Sequence, residues 1–309
     1  SWLADFLTGR RQATRYQDST SSFLTLTCGV PQWSKTGPLC FLILINDALN
    51  QTSNRWKYVG DSTVGTVIDN TSPDYSQLQH ILDELVTWTA GNHVTINHNK
   101  TVNLHFTTAI TPVPPPTLHI GQHKLQVVDS TKLLGITIDK NLDWKQHVAS
   151  IVKKASFRLY MLRRMKSLGT PPKELTIIYT SFILPVLLYA SPAWSSSLNI
   201  TQQRQIEKVQ KRAVRTILGP SHSGYNDALA TLGLKPISER LREDLTRFGQ
   251  QLIRHPRHRN LLPPALSAPV RNACRRNVLK PIRTRTHRYK NSPIPTIVNI
   301  INNSAAPTH

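Results

Sequence analysis

Short alternating segments dominate the first 140 residues of the chain. Residues 23–27 alternate apolar and polar positions as a strand does, and residues 56–68 predict a hairpin with Gly60 and Asp61 at its tip. The almost unbroken apolar run over residues 38–49 predicts a buried helix beneath a sheet. An amphipathic helix and further short strands follow, so this part predicts a mixed sheet with packed helices.

Helical periodicity replaces this alternation after Asp139. Apolar side chains of residues 144–162 fall on one helical face, and three further helices are predicted over residues 174–190, 201–218 and 238–255. Beyond them Arg, Pro and Asn dominate and the apolar periodicity fades. The pattern therefore predicts an α+β part over residues 1–140, an all-helical part over residues 141–255 and an irregular basic tail over residues 256–309.

The second predicted helix lies in a long uncharged segment, residues 175–203. Its dense apolar part ends near Ala190, short of the ~20 residues that a membrane-spanning helix requires. Pro185 also interrupts it. We therefore expect a buried core helix and no stable membrane association, with membrane insertion as the alternative.

Positive charge is concentrated in the C-terminal part of the chain. The sequence carries 38 Lys and Arg against 17 Asp and Glu, a formal net charge of +21. Residues 1–130 hold 8 basic and 9 acidic residues, whereas residues 131–309 hold 30 and 8. This excess favours a phosphate backbone as the partner, with a solvated basic face or anionic lipid as alternatives. The candidate nucleic-acid-binding cations on the predicted helices are Lys153, Lys154, Lys208, Lys211, Arg212 and Arg215.

Cysteine usage and the first residues bear on the compartment. Cys28, Cys40 and Cys274 are scattered without a CxxC pair, so neither a disulfide framework nor a zinc cluster is predicted. We expect a reducing, intracellular compartment, the cytoplasm or the nucleus. The opening SWLADFLTGRRQ has no initiator Met and no signal-peptide pattern, so we expect the sequence to begin inside a longer reading frame.

Four segments, taken in order, carry a resemblance to a known family. They are GVPQWSKTGPLCFLILIND (29–47), KYVGDST (57–63), WTAGNHVTINHNKT (88–101) and LLGITIDKNLDWKQHV (133–148). Together they resemble the reverse transcriptases of non-LTR retrotransposons of the LINE type, especially the jockey-like branch, and thumb-like segments extend the likeness to about residue 255. The resemblance implies an RNA-directed DNA polymerase by descent, with a partial polymerase palm over 1–140, a helical thumb over 141–255 and a basic tail.

The resemblance also implies roles for individual residues. Asp61 matches a catalytic, metal-binding acid of the family's hairpin. The implied nucleotide- or template-binding positions are Gly29, Pro31, Gln32, Ser34 and Lys100, and the implied primer grip is Leu134 and Gly135. The implied chemistry is nucleotidyl transfer with two Mg²⁺ ions, which prefer carboxylate oxygens. The implied partners are an RNA template, a DNA primer and dNTP, and the oligomeric state stays open.

Two positions depart from the family pattern. Gly60 stands where the family has the first hairpin acid, and Trp33 stands where it has a glycine that lets the backbone approach a nucleotide. The family's remaining metal-binding acid would lie upstream of residue 1, so we expect at most one of three carboxylates here. We therefore expect a truncated, inactive polymerase domain. The alternative is a non-catalytic nucleic-acid-binding protein that retains the thumb.

Overall fold

Strands and helices are distributed over two units, Ser1–Val128 and Asp129–His309. The computed structural model describes residues 2–27, 29–30, 34–107, 109, 111–265 and 279–304. Helices and small sheets occur together, so the predicted α+β class is confirmed. The observed division lies before the expected boundary at residue 140, because the hairpin over residues 130–139 packs against the helix that follows it.

Short strand pairs and three helices make up the first unit. Its helices are α1 (Trp2–Leu7), α2 (Thr36–Ile45) and α3 (Ser76–Gly91), and a 3-10 turn spans His98–Lys100. Its strands are β1 (Arg11–Gln12), β2 (Arg15–Tyr16), β3 (Ser19–Thr20), β4 (Leu24–Thr25), β5 (Arg55–Tyr58), β6 (Asp61–Val64), β7 (Val102–Asn103), β8 (His119–Ile120), β9 (His123–Lys124) and β10 (Gln126–Val127). The predicted hairpin is confirmed as β5 and β6.

The strands of the first unit pair only in twos among the described residues. Strands β1–β4, β2–β3, β5–β6 and β8–β9 are antiparallel pairs, and β7–β10 is a parallel pair. The prediction of one mixed sheet is therefore wrong for the described residues. Most of these strands are two residues long, and the proline-rich segment 112–116 offers few N–H donors to a ladder.

Helix α2 forms where the apolar run predicted a helix, but it is not buried. Leu39, Leu42, Ile43 and Leu44 are exposed, and Gly37 is the buried residue of this helix. The predicted burial beneath a sheet is therefore wrong for the part of the chain that the structure describes. Apolar content identified the helix, but it did not determine whether another element covers it.

The core of the first unit is small and lies between α3 and the β8–β9 hairpin. Leu82 of α3 packs with Leu118, Ile120 and Leu125. Gln79 fastens the hairpin to the helix, because its side-chain amide donates to the His119 carbonyl (2.9 Å) and accepts from the His119 N–H (3.0 Å).

The second unit consists of a hairpin and a set of helices around a larger core. The hairpin strands are β11 (Ser130–Leu133) and β12 (Ile136–Asp139). The helices are α4 (Lys145–Ser167), α5 (Pro172–Ile178), α6 (Leu184–Leu188), α7 (Ile200–Leu218), α8 (Tyr225–Leu232), α9 (Ile237–Arg254), α10 (His287–Lys290) and α11 (Pro293–Ser304). Buried apolar side chains of α4 and α7 meet those of α5, α6 and α8 in one contiguous cluster.

Polar side chains fix the starts of the two long helices of this core. The buried carboxylate of Asp139 accepts from the backbone N–H groups of Asn141, Asp143 and Trp144 at 3.0 to 3.2 Å, which leads the chain into α4. Asn199 and Gln202 form a capping box at the start of α7, in which each side chain accepts from the other residue's backbone N–H. The Asn199–Gln202 box satisfies N–H groups that lack intrahelical partners at the start of α7, whereas the Asp139 carboxylate holds the turn that precedes α4.

The uncharged segment overlaps a helix that is long and apolar enough to cross a bilayer, Pro172–Ala193. It is interrupted by a π-helical turn, Tyr179–Ile183, directly before Pro185, which has no backbone N–H to donate. One face packs in the helical core through Leu175, Tyr179, Ile183, Leu184 and Leu187. This packing agrees with the predicted core helix.

The expected irregular tail is wrong for the last described residues. Helix α11 packs against α9, where Ile297 and Val298 join Leu245 and Leu252 in a second core cluster. Asn302 holds the strand-like residue Leu279 in place by accepting from its N–H (2.9 Å) and donating to its carbonyl (3.0 Å). The high content of Arg, Pro and Asn in this segment predicted an irregular tail and hid the helical spacing of its apolar residues.

We predict that Gly249→Ala destabilises the packing of α9 against α11. A Cβ at Gly249 would lie 2.7 Å from Cγ2 of Ile297, and overpacking of this kind costs about 1–3 kcal/mol. The matched control is Gly91→Ala, because a Cβ at that helical glycine has no heavy atom within 4 Å. Chemical denaturation should show a lower free energy of unfolding for Gly249→Ala than for the parent, and an unchanged free energy of unfolding for Gly91→Ala.

The combined variant Gly249→Ala/Ile297→Ala tests the contact itself. Removal of Cγ2 makes room for the new methyl group, so the combined loss should be smaller than the sum of the two single losses. Additive losses, or a Gly249→Ala variant as stable as the parent, would contradict the packing of α11 on α9.

Candidate nucleic-acid interface

The β5–β6 hairpin presents Asp61 to solvent. Tyr58 and Asp61 form its last pair, and the turn between them consists of Val59 and Gly60. Val59 has a φ of 53°, a left-handed conformation that is costly for a β-branched residue, with about 1–3 kcal/mol of strain. Gly60 lies outside the left-handed region, and a Cβ there would be 3.9 Å from Cζ of Phe41. The backbone therefore accommodates a side chain at position 60.

Lys57 ties this hairpin to the end of α2. Its Nζ donates to the carbonyls of Ile45 (3.0 Å), Asn46 (2.7 Å) and Ala48 (2.9 Å), at and just beyond the end of α2. Partial burial, followed by repulsion from the Arg55 guanidinium, lowers the pKa of Lys57. The sequence alone did not predict that this lysine positions the hairpin.

The carboxylates of the first unit do not fit a two-metal centre. Among the described residues no three His, Cys, Asp or Glu side chains are grouped to hold a metal ion. Asp61 is exposed, and Asp69 accepts from the backbone N–H (2.8 Å) and hydroxyl (2.7 Å) of Thr71, which lowers the pKa of Asp69. Asp69 therefore stabilises a turn, and the role predicted for Asp61 stays a prediction.

The structure describes three of the predicted nucleotide- and template-binding residues, Gly29, Ser34 and Lys100. Gly29 has a φ of 81°, and its carbonyl accepts from the Arg10 guanidinium. Ser34 Oγ accepts from the Gly37 N–H (2.9 Å) at the start of α2, and Lys100 is exposed in the 3-10 turn. Among the described residues no hydrogen bond or ion pair joins these positions to Asp61. Outside the described residues lie Pro31, Gln32 and Trp33.

The predicted primer grip forms the tip of the β11–β12 hairpin. Leu134 and Gly135 have φ values of 46° and 88°, the two left-handed residues of a tight hairpin turn. Tyr189 Oη donates to the Leu134 carbonyl (2.9 Å), and its ring would lie 3.1 Å from a Cβ at position 135. The left-handed conformation favours glycine there, and a Cβ would require the Tyr189 ring to shift. Tyr189 is a supporting residue that the sequence reading missed.

His147 connects this hairpin to α4. Its Nδ1 accepts from the Thr137 N–H (3.3 Å), and its ring packs edge-on against Trp144 and Trp194. Burial, followed by repulsion from Lys154, lowers the pKa of His147, so the neutral ring is the folded form. The hairpin that carries the predicted primer grip therefore depends on an uncharged histidine.

Helix α7 exposes one continuous basic face. The predicted residues Lys208, Lys211, Arg212 and Arg215 are all exposed, and Arg204 extends the same face at helical spacing. Among the described residues none of these five cations takes part in an ion pair. The outward orientation predicted from the sequence is confirmed for all four. Lys153 and Lys154 of α4 are likewise exposed.

Buried polar groups on the opposite side of α7 set its rotation. The Gln210 amide accepts from Tyr179 Oη (2.7 Å) and donates to Tyr225 Oη and the Lys235 carbonyl (both 2.9 Å). Burial raises the pKa of Tyr179 and of Tyr225, so both hydroxyls keep their protons. Tyr225 Oη donates in turn to Glu207. These fixed partners keep the basic face turned away from the core.

Comparisons with known proteins agree with these motifs. The family model "Reverse transcriptase (RNA-dependent DNA polymerase)" matches residues 1–138, and "Alkylated DNA repair protein alkB homolog 8, N-terminal" matches residues 144–183. The RNA-directed DNA polymerase from mobile element jockey of Drosophila funebris is 26% identical over 82% of this chain and 29% of its own length. No solved structure matches the chain.

Two Drosophila melanogaster proteins are also similar to this chain. The probable RNA-directed DNA polymerases from transposon X-element and from transposon BS are each 26% identical to this chain. The matches cover 89% and 90% of the chain, but only 31% and 32% of the relatives. The chain thus spans about a third of the length of the relatives it matches.

We predict that acid destabilises the second unit through His147. The folded-state pKa lies below the ordinary value of 6.5, so the unfolded state takes up the proton first and stability falls as the pH drops below about 6.5. His147→Asn, which does not titrate, should make thermal stability less dependent on pH in this range. The exposed control His93→Asn should keep the slope of the parent, and an unchanged slope in His147→Asn would contradict the prediction.

Proposed function

We propose that this chain, which belongs to the reverse transcriptases of non-LTR retrotransposons, binds an RNA template and a DNA primer through its helical unit and does not polymerise DNA by itself. The observation that carries the proposal is the contrast between the basic face of α7, which forms no ion pair, and the lack of any metal-holding group of three His, Cys, Asp or Glu side chains among the described residues. We assign residues 1–140 to part of a polymerase palm and residues 141–255 to a helical thumb.

Charge supports the binding half of this proposal. The basic excess of the chain lies after residue 130, and the α7 face is neither buried nor ion-paired among the described residues. Cations arranged in this way neutralise phosphates and release counterions irrespective of base sequence. A polymerase that copies any template needs contacts of this kind.

The metal-binding groups support the second half of the proposal. Reverse transcriptases use divalent metal ions, and nucleotidyl transfer with two metals needs several convergent carboxylates. Gly60 contributes no side-chain oxygen, and Asp61 belongs to no group of three His, Cys, Asp or Glu side chains that could hold a metal ion among the described residues. With further acids supplied, we expect Mg²⁺ to be the ion and dNTP the substrate, because hard cations prefer carboxylate and phosphate oxygens.

A non-catalytic nucleic-acid-binding protein is the second candidate function. The intact α7 face favours it, since this face needs none of the missing carboxylates. The two candidates differ in whether restored acids at the hairpin bring back nucleotide addition. In either case we propose an intracellular location, where RNA and nucleotides are available. We also propose no stable membrane association, since one face of Pro172–Ala193 packs in the helical core.

We predict that charge reversal on α7 weakens RNA binding regardless of sequence. The test variant carries Lys208→Glu, Lys211→Glu, Arg212→Glu and Arg215→Glu, and the control carries the same charge change on the first unit, at Arg11, Arg15, Lys35 and Lys124. For the parent, log Kd against log salt should have a slope of roughly 0.7–0.9 per phosphate contacted, because counterions are released. The α7 variant should bind more weakly with a shallower slope.

Fluorescence anisotropy with RNA oligonucleotides of two unrelated sequences measures this effect. The control variant should stay closer to the parent than the α7 variant does. A salt-independent affinity, or equal losses in both variants, would contradict the assignment of binding to the α7 face.

A further inference from the structure

Helix α4 carries an outward face on which two aromatic side chains lie between two basic side chains. Lys153, Phe157, Tyr160 and Arg164 are spaced four, three and four residues apart, so they lie on one face, and we call these four residues the α4 stripe. Phe157 is 74% exposed and Tyr160 is 61% exposed. The stripe is about 16 Å long at the rise of an α-helix.

The two exposed rings are not part of the core-facing surface of α4. That surface is already formed by Val148, Ile151, Ala155, Leu159 and Leu162, all buried. Single exposed apolar residues are common on protein surfaces, but two neighbouring rings between two cations form a patch. Because α4 contains no Asp or Glu, nothing on the helix itself offsets its positive charge.

A surface groove adjoins Tyr160. It has a volume of about 360 Å³ and is lined by Tyr160, Arg163, Arg164 and Ser167. It is open to solvent and lined by residues of α4 alone, so it can flank a ligand without enclosing it. An aromatic wall beside two guanidinium groups suits a planar base linked to a phosphate.

We propose that the α4 stripe, together with the adjacent Arg163, binds unpaired RNA. Bases stack on Phe157 and Tyr160, and Arg163 and Arg164 hold the phosphates. This inference rests on the proposed function and adds that the helical unit distinguishes single strands from duplex. Stacking needs exposed base faces, which a continuous duplex hides, whereas phosphate contacts alone serve both forms.

The arrangement of side chains favours RNA over a lipid surface. In helices that lie on membranes, apolar and basic residues occupy opposite faces. Here the rings lie between Lys153 and Arg164 on the same face, and the other apolar face is buried in the protein core. The nearby ring of Phe182 differs, because the Arg158 guanidinium already covers it at 4.1 Å.

The test compares single-stranded RNA with a blunt RNA duplex of the same length and sequence, using the full chain. Phe157→Ala/Tyr160→Ala should weaken single-strand binding by about tenfold or more per ring and leave duplex binding nearly unchanged. Leu168→Ala is the matched control, because Leu168 is an exposed apolar residue at the end of the same helix, and it should leave both affinities unchanged. Phe157→Trp/Tyr160→Phe keeps both rings and should retain the preference for single strands.

The outcomes separate this inference from the proposed function. If α7 charge reversal weakens binding while the double alanine variant does not, the thumb assignment stands and the stacking site is overturned. Equal losses for single strand and duplex would also overturn it, as would a loss confined to phosphatidylserine-containing vesicles. If the parent binds neither form of RNA, both the proposed function and the stacking site fail. A melting temperature close to that of the parent would show that the exposed substitutions preserve the fold.

Discussion

The buried side-chain amide of Gln210 orients the basic face of α7. It joins three parts of the second unit: the π-helical turn through Tyr179, helix α8 through Tyr225, and the segment before α9 through the Lys235 carbonyl. Any other rotation of α7 would leave these buried polar groups without partners, at about 1–3 kcal/mol for each unsatisfied group. Because Gln210 faces inward, the cations between positions 204 and 215 face outward. The surface available for phosphate contacts is therefore a consequence of the core.

Binding and chemistry depend on different parts of the chain. The helical unit has an extensive core, capped helix starts and a basic surface, all formed within residues 129–309. The β5–β6 hairpin is held at the end of α2 by Lys57, and its strained turn presents Asp61, which belongs to no metal-holding group of three side chains among the described residues. The position next to Asp61 has the space and backbone conformation for a side chain. An acid at position 60 would therefore be compatible with the hairpin backbone.

Much of the helical unit could be predicted from the sequence because its apolar spacing is regular. The outward cations of α7 and the hairpin at Asp61 lie where the pattern indicated, whereas the strand predicted over residues 133–138 is wrong, because Leu134 and Gly135 form a turn between β11 and β12. The failures have physical reasons. The apolar content of α2 indicates a helix, but it does not show whether another element packs over that helix. Strands of two residues are too short to build a larger sheet. The packing of α11 was missed because Pro, Asn and Arg outweighed the spacing of Ile297 and its neighbours. The exposed rings of Phe157 and Tyr160 on α4 were not predicted, because in the sequence they stand among Lys and Arg residues.

The proposed activity of this chain is nucleic-acid binding without nucleotide addition. A primer-extension assay tests it most directly, with the parent chain, an annealed RNA template and DNA primer, dNTPs and Mg²⁺, at a salt concentration where binding has been measured. We predict a bound primer that is not extended, because Asp61 lacks the convergent carboxylates that two metal ions require. Template-dependent extension of the primer by the parent chain would contradict this account.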